Sequence, residues 1–195
     1  SVRNSDMIFA GYGIVAPEYN WNDYEGINVK GKTVVVLVND PGFGSSNKDF
    51  FKGNEMTYYG RWTYKYEEAA RQGAKAILIV HDTDGAGYPW NVVLNGAIIP
   101  KLYLQPDDNY ESKCAIEGWL TQSAARELFS LARFDLDELR EKAKIPGFKA
   151  FRMRSRMSLN IKSSHKFAQS KNVIGILPGK ERKDEVIIYS SHWDH

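Results

Sequence analysis

The sequence predicts an α/β fold, and three observations carry that prediction. Two almost uninterrupted apolar runs, Val34 to Val38 and Ala76 to Val80, read as strands buried on both faces. Between them, "RWTYKYEEAARQGAKA" changes to helical spacing and closes at Gly73, a natural C-terminal stop. Strand, helix and strand in that order form a βαβ unit, which favours a right-handed crossover and a parallel pair. Late in the chain, "KAFRMRSRMSLNIKS" returns to strict alternation. Met153, Met157, Leu159 and Ile161 face one way, and Arg152, Arg154 and Arg156 the other, as expected of a half-buried strand.

The remaining elements follow in chain order. "DMIFAGYGIVAP" is a strand signal punctuated by glycine and stopped at Pro17. "EYNWNDYEGINVKG" is polar and aromatic and reads as a loop. "KTVVVLVNDP" is bounded by the turn cluster Asn39-Asp40-Pro41. In the helix that follows, Trp62, Tyr66, Ala69, Ala70 and Gly73 define the expected inner stripe. "HDTDGAGYPW" reads as a loop, and "GAIIPKLYL" as a further strand that Pro100 confines to an edge or bulge. "TQSAARELFSLA" is a helix with Thr121 or Ser123 as N-cap and Ala125, Leu128, Leu131 and Ala132 on its stripe. "DLDELREKAKIPG" begins with Asp135 and carries Glu138 three residues on, a capping box in form, and Pro146-Gly147 ends it. "SHKFAQSK" reads as a linker. "NVIGIL" and "EVIIYSSH" then form a hairpin around the charged tip "PGKERKD".

Composition narrows the function classes. At 43% hydrophobic and 13% aromatic the chain can fill a core. A net charge of +2, from 26 basic and 24 acidic residues interspersed along the chain, gives no basic excess for nucleic acid. No apolar run approaches the roughly 18 residues of a spanning helix. The start, "SVRNSDMIFAG", lacks the basic and apolar regions of a signal peptide. A lone cysteine, Cys114, excludes an internal disulfide framework, and no histidine lies near it to make it a nucleophile.

The chemistry-bearing residues concentrate at "SSHWDH". His192 and Asp194 lie two apart on a predicted strand, so their side chains leave one face. An imidazole ligand with a nearby carboxylate to orient it suits a metal centre, and strand carboxyl ends are where open α/β sheets gather their sites. His195 lies three residues after His192, a spacing at which a strand does not bring two imidazoles together. His81, Asp82 and Asp84 fail the alternate-ligand pattern of a calcium loop and read as a polar loop. "NDPGFGSSNKD" lacks the closing Gly-Lys-Ser/Thr of a phosphate loop and reads as a mobile surface loop.

Several of these stretches together resemble the protease-associated domain found inserted in some zinc-dependent exopeptidases. The likeness rests on Gly11-Tyr12-Gly13, Pro17, Trp21, Asp23-Tyr24, Gly31-Lys32 and Asn39-Asp40-Pro41. It continues through Tyr64-Lys65-Tyr66, Ala69-Ala70 and Gly73-Ala74. The trailing "NVIGILPGKERKDEVIIYSSHWDH" resembles the first hairpin of the catalytic domain of the same two-zinc family, which includes glutamate carboxypeptidase and bacterial secreted aminopeptidases.

The resemblance implies a β-rich protease-associated domain, a mixed sheet or barrel with flanking helices, over residues 1–164. A linker at 165–171 and the first strands of an α/β zinc-peptidase domain at 172–195 would follow. His192 matches the family's histidine ligand to one zinc, and Asp194 the supporting aspartate. The implied reaction is hydrolysis of a terminal peptide bond, more an aminopeptidase's than a carboxypeptidase's. Two zinc ions about 3.5–4 Å apart would activate the water. A catalytic zinc needs about three protein ligands, and the family's others lie downstream, so the chain alone is expected to be inert. Its partners would be a peptide substrate and the rest of the catalytic domain, in a periplasmic or secreted setting. For "MTYYGRWTYKY" there are two readings. Trp62 and Tyr66 pack the helix start into the core, or Tyr58, Tyr59 and Arg61 line the substrate entrance with Arg61 meeting a carboxylate. Two alternatives to the peptidase are a non-catalytic peptide- or protein-binding module and glutaminyl-cyclase-like chemistry on the same scaffold.

Overall fold

The predicted βαβ unit is the centre of the sheet. The computed structural model describes residues 1–100, 103–108, 110, 112–164 and 166–192. In chain order the elements are β1 (Val2–Phe9), β2 (Val15–Ala16), β3 (Trp21–Asn22), β4 (Thr33–Leu37), α1 (Trp62–Arg71) and β5 (Ala76–Val80). They continue with α2 (Thr83–Ala86), α3 (Trp90–Ile98), β6 (Ile116–Leu120), α4 (Gln122–Leu131), α5 (Leu136–Ala143) and β7 (Phe151–Leu159). Five strands form one mixed sheet in the order β6-β5-β4-β1-β7. The first four run parallel, and β7 lies antiparallel to β1 with two register shifts. β2 and β3 make a separate two-stranded ribbon.

Alternation along the central strands divides the core into two layers. Phe9, Val35, Leu37, Leu78 and Val80 face α4 and α5, where Phe129, Leu136 and Leu139 meet them. The rings of Phe9 and Phe129 cross edge to face at 5.1 Å. Ile8, Val34, Val36, Ile77 and Ile79 face the other way, toward Ala69 of α1, Ala74 and Cys114. Both faces are therefore covered, which is why β4 and β5 read as continuous apolar runs.

Helix boundaries follow local chemistry. Thr121 caps α4 by accepting from the Ala124 N–H at 3.0 Å, and Asp135 caps α5 by accepting from Asp137 and Glu138. Gly73 closes α1 with a φ of +77°, a conformation that favours glycine. The inner stripes differ from those expected. In α1 the buried residues are Tyr64, Lys65, Glu68 and Ala69, while Trp62 remains 38% exposed. Polar side chains occupy the inner face because carbonyls and carboxylates await them there. In α4, Phe129 and Ala132 are buried with Ala125, and Leu131 is 76% exposed.

Two expectations are corrected, and one strand forms where none was expected. "HDTDGAGYPW" contains the single turn α2, which Asp82 caps by accepting from Gly85 N–H at 2.8 Å. The stretch expected as a strand at "GAIIPKLYL" is instead the end of α3 followed by irregular chain, with Lys101 and Leu102 outside the described residues. Pro100 lies just beyond α3, where it cannot extend the helix. The parallel position beside β5 goes to β6, "IEGWL", whose Glu117 and Gly118 are weak strand formers tolerated at a sheet edge.

The chain divides into two compact units, Ser1–Ile161 and Lys162–His195. In the second, residues 172–192 carry no strand, so the expected hairpin is not formed there. A lone two-stranded hairpin without a third strand or a helix to cover it is marginal in water. No helix among the described residues is long and apolar enough to cross a membrane.

Candidate functional site

Polar groups gather around the turns that leave β1 and β4. Asn39 takes a φ of +68° after β4, the left-handed backbone that asparagine tolerates. Its Nδ2 donates to the carbonyl oxygen of Gly85 at 2.8 Å. Asp40, wholly buried, accepts from the N–H of Gly42 and from both the N–H and the hydroxyl of Thr57, the last at 2.6 Å. Asp23 accepts from the N–H of Ile14 at 3.0 Å. Between these carboxylates lies Lys65 of α1, buried completely, donating to the carbonyls of Tyr12 at 2.6 Å and Asn39 at 2.7 Å. Burial raises Asp23 to about 7 and lowers Lys65 to about 7, each opposed by the other's charge. Burial likewise raises Asp40.

This hub fixes the loop that carries Tyr58, Tyr59 and Arg61. Thr57, tied to Asp40, leads into a single 3-10 turn over Tyr58–Gly60, and Arg61 stands at the start of α1. Tyr58 is 57% exposed and donates to Glu67 at 2.9 Å. Tyr59 donates to Glu18 at 2.6 Å, and that bond pushes its phenol up to about 12. Both rings meet Tyr64 edge to face, at 5.5 and 5.0 Å. Arg61 is exposed. Tyr58, Tyr59 and Arg61 are thus brought together on one pinned surface loop. Of the two readings for this segment, core packing holds for Tyr66, half-buried against the inner layer, and is corrected for Trp62 by its exposure.

His192 is exposed and lies on no strand, and Asp194 is outside the described residues. Among the described residues no three His, Cys, Asp or Glu side chains cluster as metal donors. His81 is buried, with Nε2 3.0 Å from the carbonyl of Tyr88, and Asp82 is a helix cap. Arg152 and Arg156 bracket Asp6 at 2.6 and 3.1 Å, and their attraction lowers its carboxyl. The loop expected at the surface is buried over Asn39 to Gly42 but exposed at Gly44 and from Ser46 to Asp49, and Phe51 just beyond it stacks on Tyr19 at 4.2 Å within the core. Burial drives Cys114 up to about 12, which leaves the thiol protonated and unreactive near neutrality.

A second constellation escaped the sequence. At the carboxyl ends of β4 and β5 lies a cavity of about 200 Å³, walled by Leu37, Val38 and Val80 and roofed by Arg140, Glu141 and Lys144. Arg140 is locked by Asp82 at 2.9 Å. The only hint in sequence was the general placement of sites at strand ends, because α5 read simply as a charged solvent face.

Compared with known proteins, the chain matches no family model, no curated protein and no solved structure.

Proposed function

We propose that this chain is the accessory domain and the opening strands of the catalytic domain of a secreted or periplasmic zinc exopeptidase, most simply an aminopeptidase. The sequence likeness supports this reading. The observation that carries it is the surface of the second unit. Val173, Ile174, Ile176, Leu177, Val186, Ile187, Ile188 and Tyr189 are between 77% and 96% exposed. Burying each such aliphatic side chain stabilises a fold by about 1.5–3 kcal/mol, so two runs of this composition fit the interior of a larger sheet. In that sheet His192 would stand at a strand's carboxyl end and donate a ring nitrogen to one zinc. Asp194 would orient the site. Tyr58, Tyr59 and Arg61 would line the entrance for the peptide, with Arg61 available to a substrate carboxylate.

The test uses the full-length gene product that contains this chain. It is expected to hold zinc and to hydrolyse aminoacyl-nitroanilides, and His192→Ala is expected to remove both the stoichiometric zinc and the turnover. Equal turnover by the variant, or by protein stripped of divalent ions, defeats the reading. The 195-residue chain alone is expected to show neither property.

A further inference from the structure

Two consecutive residues of the turn after β4 hold both ends of the loop that presents Tyr58, Tyr59 and Arg61. Asp40 takes the leading end, where Oδ2 accepts from the Thr57 N–H at 2.9 Å and from the Thr57 hydroxyl at 2.6 Å. Asn39 takes the trailing end, where its carbonyl oxygen accepts from the Lys65 ammonium at 2.7 Å. The Lys65 N–H in turn donates to the carbonyl of Arg61 at 3.2 Å. Between these anchors the loop lies directly against the same turn. A Cβ on Gly60 would stand 3.0 Å from Oδ1 and 3.3 Å from the carbonyl carbon of Asn39.

The anchors are buried and the groups they hold are displayed. Asp40 and Lys65 are fully enclosed and Thr57 is 8% exposed, whereas Tyr58 and Arg61 face solvent. Thr57 and Asp40 therefore act on a ligand only through the loop. The bond from the hydroxyl to the carboxylate is charge-assisted, the stronger kind. It keeps Tyr58–Gly60 in one arrangement before any ligand arrives, and a surface ordered in advance spares the cost of ordering its side chains on binding.

We propose that Thr57, anchored on Asp40, is a positioning residue for peptide binding, holding Tyr58 and Arg61 ready for the part of a peptide that lies beyond the scissile bond. The role rests on the peptidase reading, in which this loop lines the entrance. It serves substrates long enough to reach that entrance, and a single aminoacyl group with a small leaving group is not among them.

The test compares two substrates of the full-length gene product, an aminoacyl-nitroanilide and a tetrapeptide with the same first residue. Thr57→Val keeps the side-chain volume and the backbone N–H and removes only the hydroxyl bond. It is expected to raise KM for the tetrapeptide by about three- to tenfold, the cost of ordering a contact side chain on binding. The tetrapeptide kcat and the nitroanilide KM should not move, and Thr57→Ser should restore the parent values. In the 195-residue chain, Thr57→Val is expected to speed amide exchange at Tyr59 and Gly60 while β4 and β5 keep their protection. A tetrapeptide KM that does not change, or one that rises only in step with the nitroanilide KM, overturns the proposal. So does unaltered exchange at Tyr59 and Gly60, which would mean that the bond to Asp40 does not hold the loop. An unsubstituted product that turns over neither substrate fails earlier, defeating the peptidase reading and this role with it.

Discussion

Lys65 donates from a completely buried ammonium to the carbonyl oxygen of Asn39 at 2.7 Å, joining the inner face of α1 to the turn that leaves β4. The same ammonium holds the carbonyl of Tyr12 at 2.6 Å, so one side chain ties down the turns after two neighbouring strands. Its charge also offsets Asp23 and Asp40. Lys65→Met keeps the aliphatic stem but leaves two carbonyls without their donor and two carboxylates without their cation. Breaking a buried ionic cluster on one side costs about 3–5 kcal/mol. Urea unfolding followed by circular dichroism is expected to show a loss of that size. A loss within the scatter of the measurement would mean that the hub contributes nothing to stability.

The pH dependence of the hub has a definite sign. Burial raises Asp23 from its ordinary 3.8 to about 7, so over that window the folded chain keeps a proton that the unfolded chain has released. Its contribution is present below 3.8 and is lost as pH climbs through about 7. Lys65 moves the opposite way, from 10.5 down to about 7 through burial, and its contribution is lost as pH falls through that value. Both groups thus make the neutral range the least favourable for the hub. Asp23→Asn can still accept from the Ile14 N–H and cannot ionise. Its stability relative to the parent chain is expected to increase as pH rises from 4 to 7, measured by urea unfolding at each pH. A flat difference across that window would show that Asp23 does not titrate there.

How far the sequence reached can be judged from particular elements. Val34–Val38 and Ala76–Val80 were legible because a strand covered on both faces needs an apolar residue at every position. Asp135 and Thr121 were legible because a cap acts within three residues of itself. β6 was not, since "IEGWL" is a strand only by virtue of the edge that β5 presents to it. The burial of Lys65 left no local sign, because its partners lie 53 and 26 residues away. Arg140 was hidden for the same reason, with Asp82 separated from it by 58 residues. The loop of Tyr58, Tyr59 and Arg61 was found from its aromatic density, whereas its anchor to Asp40 through Thr57 left no local sign.

Gly13 separates backbone strain from crowding in the turn after β1. Its φ is +64°, and a Cβ there would stand 2.6 Å from Cγ1 of Val36 and 3.2 Å from the hydroxyl oxygen of Tyr24. Gly26 has a similar φ of +76° with nothing within 4 Å of the same position. Left-handed backbone costs an L-residue about 1–2 kcal/mol, and forcing a methyl into a packed core adds about 1–3 kcal/mol. Gly26→Ala is therefore expected to lose only the first amount, and Gly13→Ala about 2–5 kcal/mol in all. Val36 is paired with Ile79 of β5 and cannot retreat without disturbing that register. Thermal and urea unfolding of the two variants side by side measures the difference, and equal losses would show that Val36 does not confine Gly13.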